Sequence, residues 1–263
     1  MTGRPVVFGE VLFDRFPDGS AVLGGAPFNV AWNLQALGAD PLLISRAGDD
    51  GLGQNILDAM TAWGMDTSGM QRDLDHATGT VEVTLQDGEP RFVIAADRAW
   101  DHIAAEDLPD LSGGGILYHG SLALRTAPPR RALERLRRDT GAPVLLDVNL
   151  RPPWWDGESL GRLLLDACWA KLNRDELDQL EPGGPGPFLR RHGLESIIVT
   201  RGGDGAVVHH RDGSREDAGR PAPAAVVDTV GAGDAFTSVV ILGLTRGRAW
   251  PDILERAQAF ASA

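Results

Sequence analysis

The C-terminal part of the chain contains the stretch Val227-Asp228-Thr229-Val230-Gly231-Ala232-Gly233-Asp234-Ala235-Phe236. From Ala232 onward, apolar residues recur at the spacing typical of a helix. Free backbone N–H groups at a helix start point toward one spot, the helix dipole adds partial positive charge, and glycine lets an anion approach the backbone. The stretch therefore predicts an anion-binding turn formed by Gly231, Ala232 and Gly233.

Asp234 directly follows this turn. A carboxylate beside a phosphate-binding loop can accept a proton from an attacking hydroxyl, so the combination indicates phosphoryl transfer. The alternative is a plain helix N-terminus, in which an acidic residue stabilises the helix dipole. Lys171 is the sole lysine, and it lacks the glycines that precede the lysine of a P-loop, so that motif is excluded.

A second group of motifs lies near the N-terminus. Residues 6–12 read as a buried strand that ends at Asp14, and Gly24, Gly25 and Asn29 follow. Paired acceptors and donors of this kind are what a polyol requires. The alternative is structural: Asp14 caps a turn and Asn29 satisfies backbone groups.

Together the two stretches resemble the ribokinase/PfkB family of carbohydrate kinases, and in particular its fructokinase-like members. Residues 228–236 are similar to the C-terminal signature of that family, and residues 24–53 to its sugar-binding segment and the following helices. The resemblance implies an α/β fold, a ribokinase-like three-layer sandwich with a central, mostly parallel sheet and a small β lid. It further implies one domain over residues 1–263, with the lid from about residues 13–24 and 70–98.

Periodicity points to the same architecture. Alternating strand and helix patterns over residues 27–63 argue for a parallel sheet with helices on both faces. Residues 80–85 alternate at period two, Asp87-Gly88 supplies a turn, and residues 91–94 return, which predicts a hairpin. In ribokinase-like proteins such a hairpin covers the sugar and often pairs with a second subunit, so we expect a lid and a homodimer.

The resemblance also implies roles for individual residues. Asp234 is the expected base, and Asp147, Asn149 and Arg151 follow a buried strand at the edge where open α/β sheets bind ligands. Arg98, after the hairpin, is a candidate from its position alone, and a surface loop is the alternative. The residues expected at the sugar are Asp14, Gly24, Gly25, Asn29, Arg98, Asp147, Asn149 and Arg151; those expected at the nucleotide are Asn173, Glu176, Thr200, Gly202 and Gly205.

The expected cofactors are ATP, Mg²⁺ and a monovalent cation such as K⁺. The resemblance assigns Glu176 to the hydration shell of Mg²⁺ and Asp228 to the monovalent cation. The spacing of Asn173 and Glu176 is also that of a capping box, the structural alternative for this pair.

Composition limits the possible partners and compartments. The formal net charge of −12 argues against nucleic acid or an anionic membrane as the main partner. The single cysteine, Cys168, the lack of signal-peptide features in residues 1–5 and the lack of a long apolar run together indicate a cytoplasmic protein. The six histidines show no metal-ligand spacing, so no zinc site is expected.

The predicted function is ATP-dependent phosphorylation of a primary hydroxyl of a small sugar, with fructose as the preferred candidate. Ketodeoxygluconate, ribose and a nucleoside are the alternatives within the same enzyme class. A non-catalytic, sugar-binding regulatory protein is the alternative outside it, because the chain stops at Ala263 where family members continue through another helix.

Overall fold

The structure is a computed structural model that describes residues 3–86, 89–111, 113–219 and 231–262; for residues 85, 86, 89 and 90 it describes the backbone alone. Within these residues, a large sheet has the strand order β13-β12-β11-β10-β9-β8-β1-β4-β5. Its strands are β1 Val6–Phe8, β4 Leu42–Gly48, β5 Met70–Asp73, β8 Leu117–Gly120, β9 Val144–Asp147, β10 Trp169–Asn173, β11 Ser196–Thr200, β12 Ala206–His210 and β13 Arg215–Asp217.

The large sheet is parallel from β11 to β5, and β12 and β13 add antiparallel at its edge. The expected mostly parallel central sheet is thus confirmed. Because the strands from β11 to β4 run the same way, their carboxyl ends meet along one edge. The polar residues that follow β1, β9, β10 and β11 are therefore brought to the same side of the molecule.

Helices cover both faces of the large sheet. Successive strand residues point to opposite faces, so Val7 packs in one core while Val6 and Phe8 pack in the other. The first core includes residues of α1 Ala26–Ala36, α2 Gly51–Ala62, α7 Ala232–Thr245 and α8 Trp250–Ala261; the second includes residues of α3 Ala127–Thr140, α4 Gly157–Leu165, α5 Arg174–Leu180 and α6 Pro185–His192. None of the helices in the described ranges combines the length and apolar character needed to cross a lipid bilayer.

A small sheet of order β3-β2-β6-β7 stands apart from the large one. Its strands are β2 Leu12–Arg15, β3 Ala21–Gly24, β6 Gly79–Gln86 and β7 Glu89–Ile94. The predicted hairpin strands over residues 80–94 are confirmed, and the predicted turn at 87–88 lies outside the described residues. Met70–Asp73, at the start of the second range expected for the lid, instead pairs with β4 in the large sheet.

The prediction of one strand over residues 6–12 is wrong. The chain leaves the large sheet after Phe8 and enters the small sheet at Leu12. At the break, Gly9 has a φ of 151°, and a Cβ added there would lie 2.4 Å from Cγ of Pro27. An apolar run therefore continues across two sheets, and Asp14 belongs to β2 rather than to the end of β1.

Candidate active site

The predicted anion-binding turn forms the start of α7. Gly231 precedes the helix with a φ of 79°, a conformation that suits glycine. The first backbone hydrogen bond of the helix runs from the Ala235 N–H to the Gly231 carbonyl. The N–H groups of Ala232, Gly233 and Asp234 precede this bond, so they have no partner within the helix, as the predicted anion-binding turn requires.

Asp234 is the point where the two sequence motifs meet. The Asn29 side-chain amide on α1 donates to Oδ2 of Asp234 at 2.8 Å, across 205 residues of sequence. Burial raises the pKa of Asp234 to about 6, although the Asn29 hydrogen bond and the charge of Lys171 act against the rise. At neutral pH the group is mostly a carboxylate that can take up a proton at modest cost.

The glycine pair brings the backbone of α1 close to the end of β1. Gly25 has a φ of 105°, and a Cβ there would lie 2.7 Å from the Glu10 carbonyl oxygen. A Cβ on Gly24 would lie 3.2 Å from Oδ2 of Asp14. Burial raises the pKa of Asp14. Asp14 therefore lies against Gly24, and Asn29 lies against Asp234. The expected role of Asp14, Gly24, Gly25 and Asn29 at the sugar stays a prediction.

Glu10 is a site residue that sequence reasoning missed. Its side chain is 3% exposed, and its Oε2 has no hydrogen-bond partner among the described residues. Burial raises the pKa of Glu10 to about 7, although a backbone hydrogen bond and the charge of Arg151 oppose the rise, and the charge of Asp234 contributes to it. A buried acid in the apolar run after β1 was the available signal.

Asp147 does not have the open position expected of a sugar ligand. It is 2% exposed, and its Oδ2 accepts a hydrogen bond from the Lys171 ammonium at 2.7 Å. The Thr237 hydroxyl of α7 lies 3.5 Å from the same oxygen and donates to the Gly233 carbonyl at 2.7 Å. The predicted substrate contact at Asp147 is thus an interior ion pair, because the strand is buried up to its last residue.

Lys171 is the second residue that sequence reasoning missed. Its ammonium lies 3.8 Å from the position of a Cβ on Gly233, so a positive charge sits beneath the turn that precedes Asp234. The charge of Asp147 and the hydrogen bond to it raise the pKa of Lys171 despite burial, which alone would lower it. A sole lysine inside an apolar strand was the sequence signal for an interior role.

The three remaining residues expected at the sugar differ in placement. Arg151 is exposed after β9, and its charge lowers the pKa of both Glu10 and Asp234, so it lies near these acids. Asn149, two residues before Arg151, has a positive φ of 37°. The Arg98 backbone N–H donates to Asp101 at 3.0 Å, and its buried Nε has no hydrogen-bond partner among the described residues.

A cavity of about 1020 Å³ lies at the carboxyl ends of β10 and β11. Asn173, Thr200 and Gly202, all expected at the nucleotide, line it. Its other lining residues are Arg174, Asp175, Arg201, Asp204, Asp217, Ala218 and Gly219. The volume and the polar lining suit a nucleotide.

Glu176 and Gly205 support this cavity without lining it. Asn173 and Glu176 form the capping box of α5, in which each side chain accepts the other's backbone N–H at 2.8 Å. Glu176 also accepts the Leu150 N–H at 2.7 Å through its second oxygen. A Cβ on Gly205 would lie 1.8 Å from the Gly219 carbonyl oxygen, so only glycine fits. Asp228, expected at a monovalent cation, lies outside the described residues.

An α/β fold with an acid in the first turn of a helix that a glycine precedes is the combination expected of a sugar-phosphorylating enzyme. The family model for pfkB family carbohydrate kinases matches residues 9–263. The chain is 33% identical to a fructokinase of Klebsiella pneumoniae, over 93% of this chain and 85% of that protein. It is 32% identical to an aminoimidazole riboside kinase of Salmonella typhimurium, over 88% of this chain and 76% of that protein.

A solved structure agrees with these sequence matches. The aminoimidazole riboside kinase of Salmonella enterica, complexed with aminoimidazole riboside and an ATP analog, superposes with a TM-score of 0.85 at 28% identity, covering 98% of this chain and 92% of that one. The chain therefore belongs to the PfkB family of carbohydrate kinases.

Proposed function

We propose that the protein transfers a phosphoryl group from ATP to a primary hydroxyl of a small sugar, with fructose as the substrate. The observation that carries this proposal is the 2.8 Å hydrogen bond between Asn29 and Asp234. It joins the segment expected to hold the sugar to the acid beside the anion-binding turn. A sugar hydroxyl held by Asn29 would thereby stand next to the group that takes its proton.

Asp234 acts as the base in this proposal. A hydroxyl holds its proton far more tightly than an acid of pKa about 6, so the proton moves late, as charge leaves the attacking oxygen. Alignment of the hydroxyl therefore matters more than the strength of the base. The N–H groups of Ala232, Gly233 and Asp234, with Lys171 beneath them, stabilise the charge on the transferred phosphoryl group.

The cavity beside β10 and β11 is the proposed ATP site, with Asn173, Thr200 and Gly202 in its wall. Mg²⁺, where bound, neutralises charge on the phosphates. Both Glu176 oxygens already accept backbone N–H groups, so Glu176 fits the metal only through water. The proposal for K⁺ rests on Asp228 and on the resemblance alone.

The acceptors at the sugar side support a substrate rich in hydroxyl groups. Asp14, Glu10 and Asp234 all carry acid groups there, and a hydroxyl can donate to each of them. Fructose offers such donors around its ring. Aminoimidazole riboside is the second candidate, because a kinase for that compound is as similar in sequence as the fructokinase relatives.

The test is sugar-dependent ADP release with Mg²⁺-ATP and K⁺, comparing fructose, aminoimidazole riboside, ribose, ketodeoxygluconate and adenosine. We expect the highest kcat/KM with fructose. A higher kcat/KM with aminoimidazole riboside would identify that compound, rather than fructose, as the substrate, and the assignment as a kinase would stand. Folded protein that binds a sugar but releases no ADP with any of them would contradict the kinase and favour a sugar-binding regulatory protein.

We further propose that the small sheet is a lid on a single-domain cytoplasmic enzyme and that it also mediates a homodimer. Val22, Phe92 and Val93 on its strands are 54%, 57% and 59% exposed. Exposed apolar side chains on a sheet favour association with a second copy. Analytical ultracentrifugation of wild type and Val22→Glu tests the dimer. We expect wild type to sediment as a dimer and the variant to shift toward the monomer; a wild type that sediments as a monomer would contradict the proposal.

The acidic net charge of −12 supports the absence of nucleic-acid and anionic-membrane partners.

A further inference from the structure

Three side chains with metal-binding atoms lie together outside the site described above: His76, Asp97 and His102. One ligand atom from each lies within 4.8 Å of the others. The two imidazole rings stack with centroids 3.5 Å apart and planes inclined by 13°. Spacing along the chain gives no sign of this cluster, because His76 precedes β6 and the other two residues follow β7.

The orientation of His76 is fixed from behind. Its Nδ1 lies 3.1 Å from Oδ1 of Asp73, a carboxyl that is 1% exposed. Asp73 already accepts the backbone N–H groups of Asp75 and His76 and the Arg46 guanidinium, so it is an ionised acceptor. Nδ1 of His76 must therefore carry the proton that it shares with Asp73, and in the neutral ring Nε2 keeps its lone pair.

That lone pair faces another acceptor. Nε2 of His76 lies 3.8 Å from Oδ1 of Asp97, and Nε2 of His102 lies 2.8 Å from the same oxygen. Asp97 has a φ of 54°, in the left-handed region that aspartate and asparagine enter more readily than most residues. The Nε2 atoms of both imidazoles thus lie beside one carboxylate oxygen. Because the rings are stacked nearly parallel, rotation of the rings about their Cβ–Cγ bonds would be needed to turn both lone pairs onto one cation there.

We propose that His76, Asp97 and His102 bind a Zn²⁺ ion. Two imidazoles and one carboxylate form a ligand set that Zn²⁺ prefers, whereas Mg²⁺ selects oxygen ligands, so the site is chemically distinct from the expected Mg²⁺-nucleotide site. The Asp73 carboxylate behind His76 supplies the outer partner that metal-binding histidines usually have. Asp97 is 75% exposed, so an ion and its remaining water ligands can enter from solvent.

The proposed ion would connect the two chain segments that link the large and small sheets on this side. His76 lies between β5 and β6, and Asp97 and His102 lie just beyond β7. The segments already pack together, because a Cβ on Gly79 would lie 2.5 Å from Nε1 of the buried Trp100. Bound Zn²⁺ would therefore stiffen the base of the small sheet and raise the Tm of the protein.

The test is zinc titration by calorimetry on tag-free, EDTA-treated and desalted protein without nucleotide. Wild type, Asp97→Asn, His102→Gln and the control His192→Gln are compared. Asn tolerates the left-handed backbone of Asp97, and His192 is a histidine on α6, outside the cluster. Co²⁺ is the second probe, because histidine ligation alters its visible absorption. These readouts do not require kinase activity, so they are independent of the proposed function.

We expect wild type and His192→Gln to bind one equivalent of Zn²⁺ with the same affinity and to melt at a higher temperature with it. Asp97→Asn and His102→Gln should each lower the zinc affinity by about 10-fold or more. Absence of zinc binding in wild type would overturn the proposal. Equal zinc affinity in wild type and both cluster variants would also overturn it.

Discussion

Asp50 and Asp234 are both aspartates at the start of a helix, but their surroundings differ. The Asp50 carboxylate precedes α2 and accepts the Gly53 N–H, the Thr78 N–H and the Thr78 hydroxyl, at 2.8, 2.8 and 2.7 Å. Asp234 lies inside the first turn of α7, and its hydrogen bond comes from Asn29 on another helix, at 2.8 Å. The Asp50 carboxylate caps the helix that it precedes, whereas the Asp234 carboxylate is bonded to a neighbouring helix.

The contrast shows that hydrogen-bond donors, rather than the helix start itself, decide the state of the acid. Burial opposes ionisation of Asp50, but the N–H groups of Thr78 and Gly53 lower its pKa. Burial prevails at Asp234 and raises its pKa to about 6. The dipole-stabilising alternative for an acidic residue at a helix start therefore fits Asp50, whereas the raised pKa of Asp234 supports its proposed role as a base near neutral pH.

The largest expected effect is on activity. Asp234→Asn keeps the shape of the side chain but cannot take up a proton, so we expect kcat to fall by about 10²- to 10⁴-fold while sugar affinity changes little. Asp50→Ala should keep kcat close to that of wild type at temperatures where it remains folded. Steady-state kinetics with calorimetric sugar binding measures both, and equal losses of kcat in the two variants would remove the distinction between the acids.

Glu10 sharpens the comparison as a buried acid that belongs to no helix. Its folded pKa of about 7 lies above the ordinary 4.5, so the fold favours the protonated form and loses stability as pH rises between these values. Glu10→Gln does not titrate. We expect the free energy of unfolding of wild type, relative to this variant, to fall by about 3 kcal/mol from about pH 4 to about pH 8. Urea unfolding at both pH values measures it; a constant difference would contradict it.

Asp50→Ala should lower the free energy of unfolding by about 1–2 kcal/mol at neutral pH, because the cap of α2 and the bonds to Thr78 are lost. The pKa of Asp50 is lowered in the fold, so this contribution is present above its ordinary value of 3.8 and is lost as pH falls below it. Asp49→Ala, at an exposed neighbour, is the control, with an expected change within about 0.5 kcal/mol. Similar losses in both variants would contradict the capping role.

The smallest expected effect has the opposite sign. The pKa of Asp234 is raised, so its charged form opposes folding increasingly as pH rises from 3.8 through about 6. Asp234→Asn should therefore stabilise the protein by about 1 kcal/mol at about pH 8, since partial solvent access screens the full effect, and should not do so at about pH 4. Thermal melts at both pH values measure the gain. A variant less stable than wild type at both would indicate a structural role for the Asp234 carboxylate.

Sequence patterns predict much of this fold because they are local. The helix start at Gly231, the strand–helix alternation and the hairpin strands all follow from periodicity and turn residues within short windows. The break at Gly9 was missed because an apolar run is equally compatible with one strand and with two strands in different sheets. What separates these cases is the contact between Gly9 and Pro27, which only the folded chain shows.

The site shows the same limit. The motifs identified Asn29 and Asp234 separately, and the fold brings them to 2.8 Å. The pairing of Asp147 with Lys171 depends on strand neighbours, because facing residues of β9 and β10 are far apart in sequence. The burial of Glu10 depends on the folded chain as well, because Glu10 lies between two strands that belong to different sheets. Because of such a contact, Asp147, which was expected at the sugar, instead forms an interior ion pair with Lys171. The spacing of residues along the sequence does not predict contacts of this kind.

The most direct test of the role of Asp234 is a single-turnover measurement of phosphoryl transfer to bound sugar, by rapid quench, in wild type and Asp234→Asn. This experiment observes the chemical step itself, whereas kcat can be limited by product release. We expect the variant to slow the chemical step by at least about 100-fold at saturating sugar and ATP. An unchanged rate of transfer in the saturated variant would contradict the assignment of Asp234 as the base.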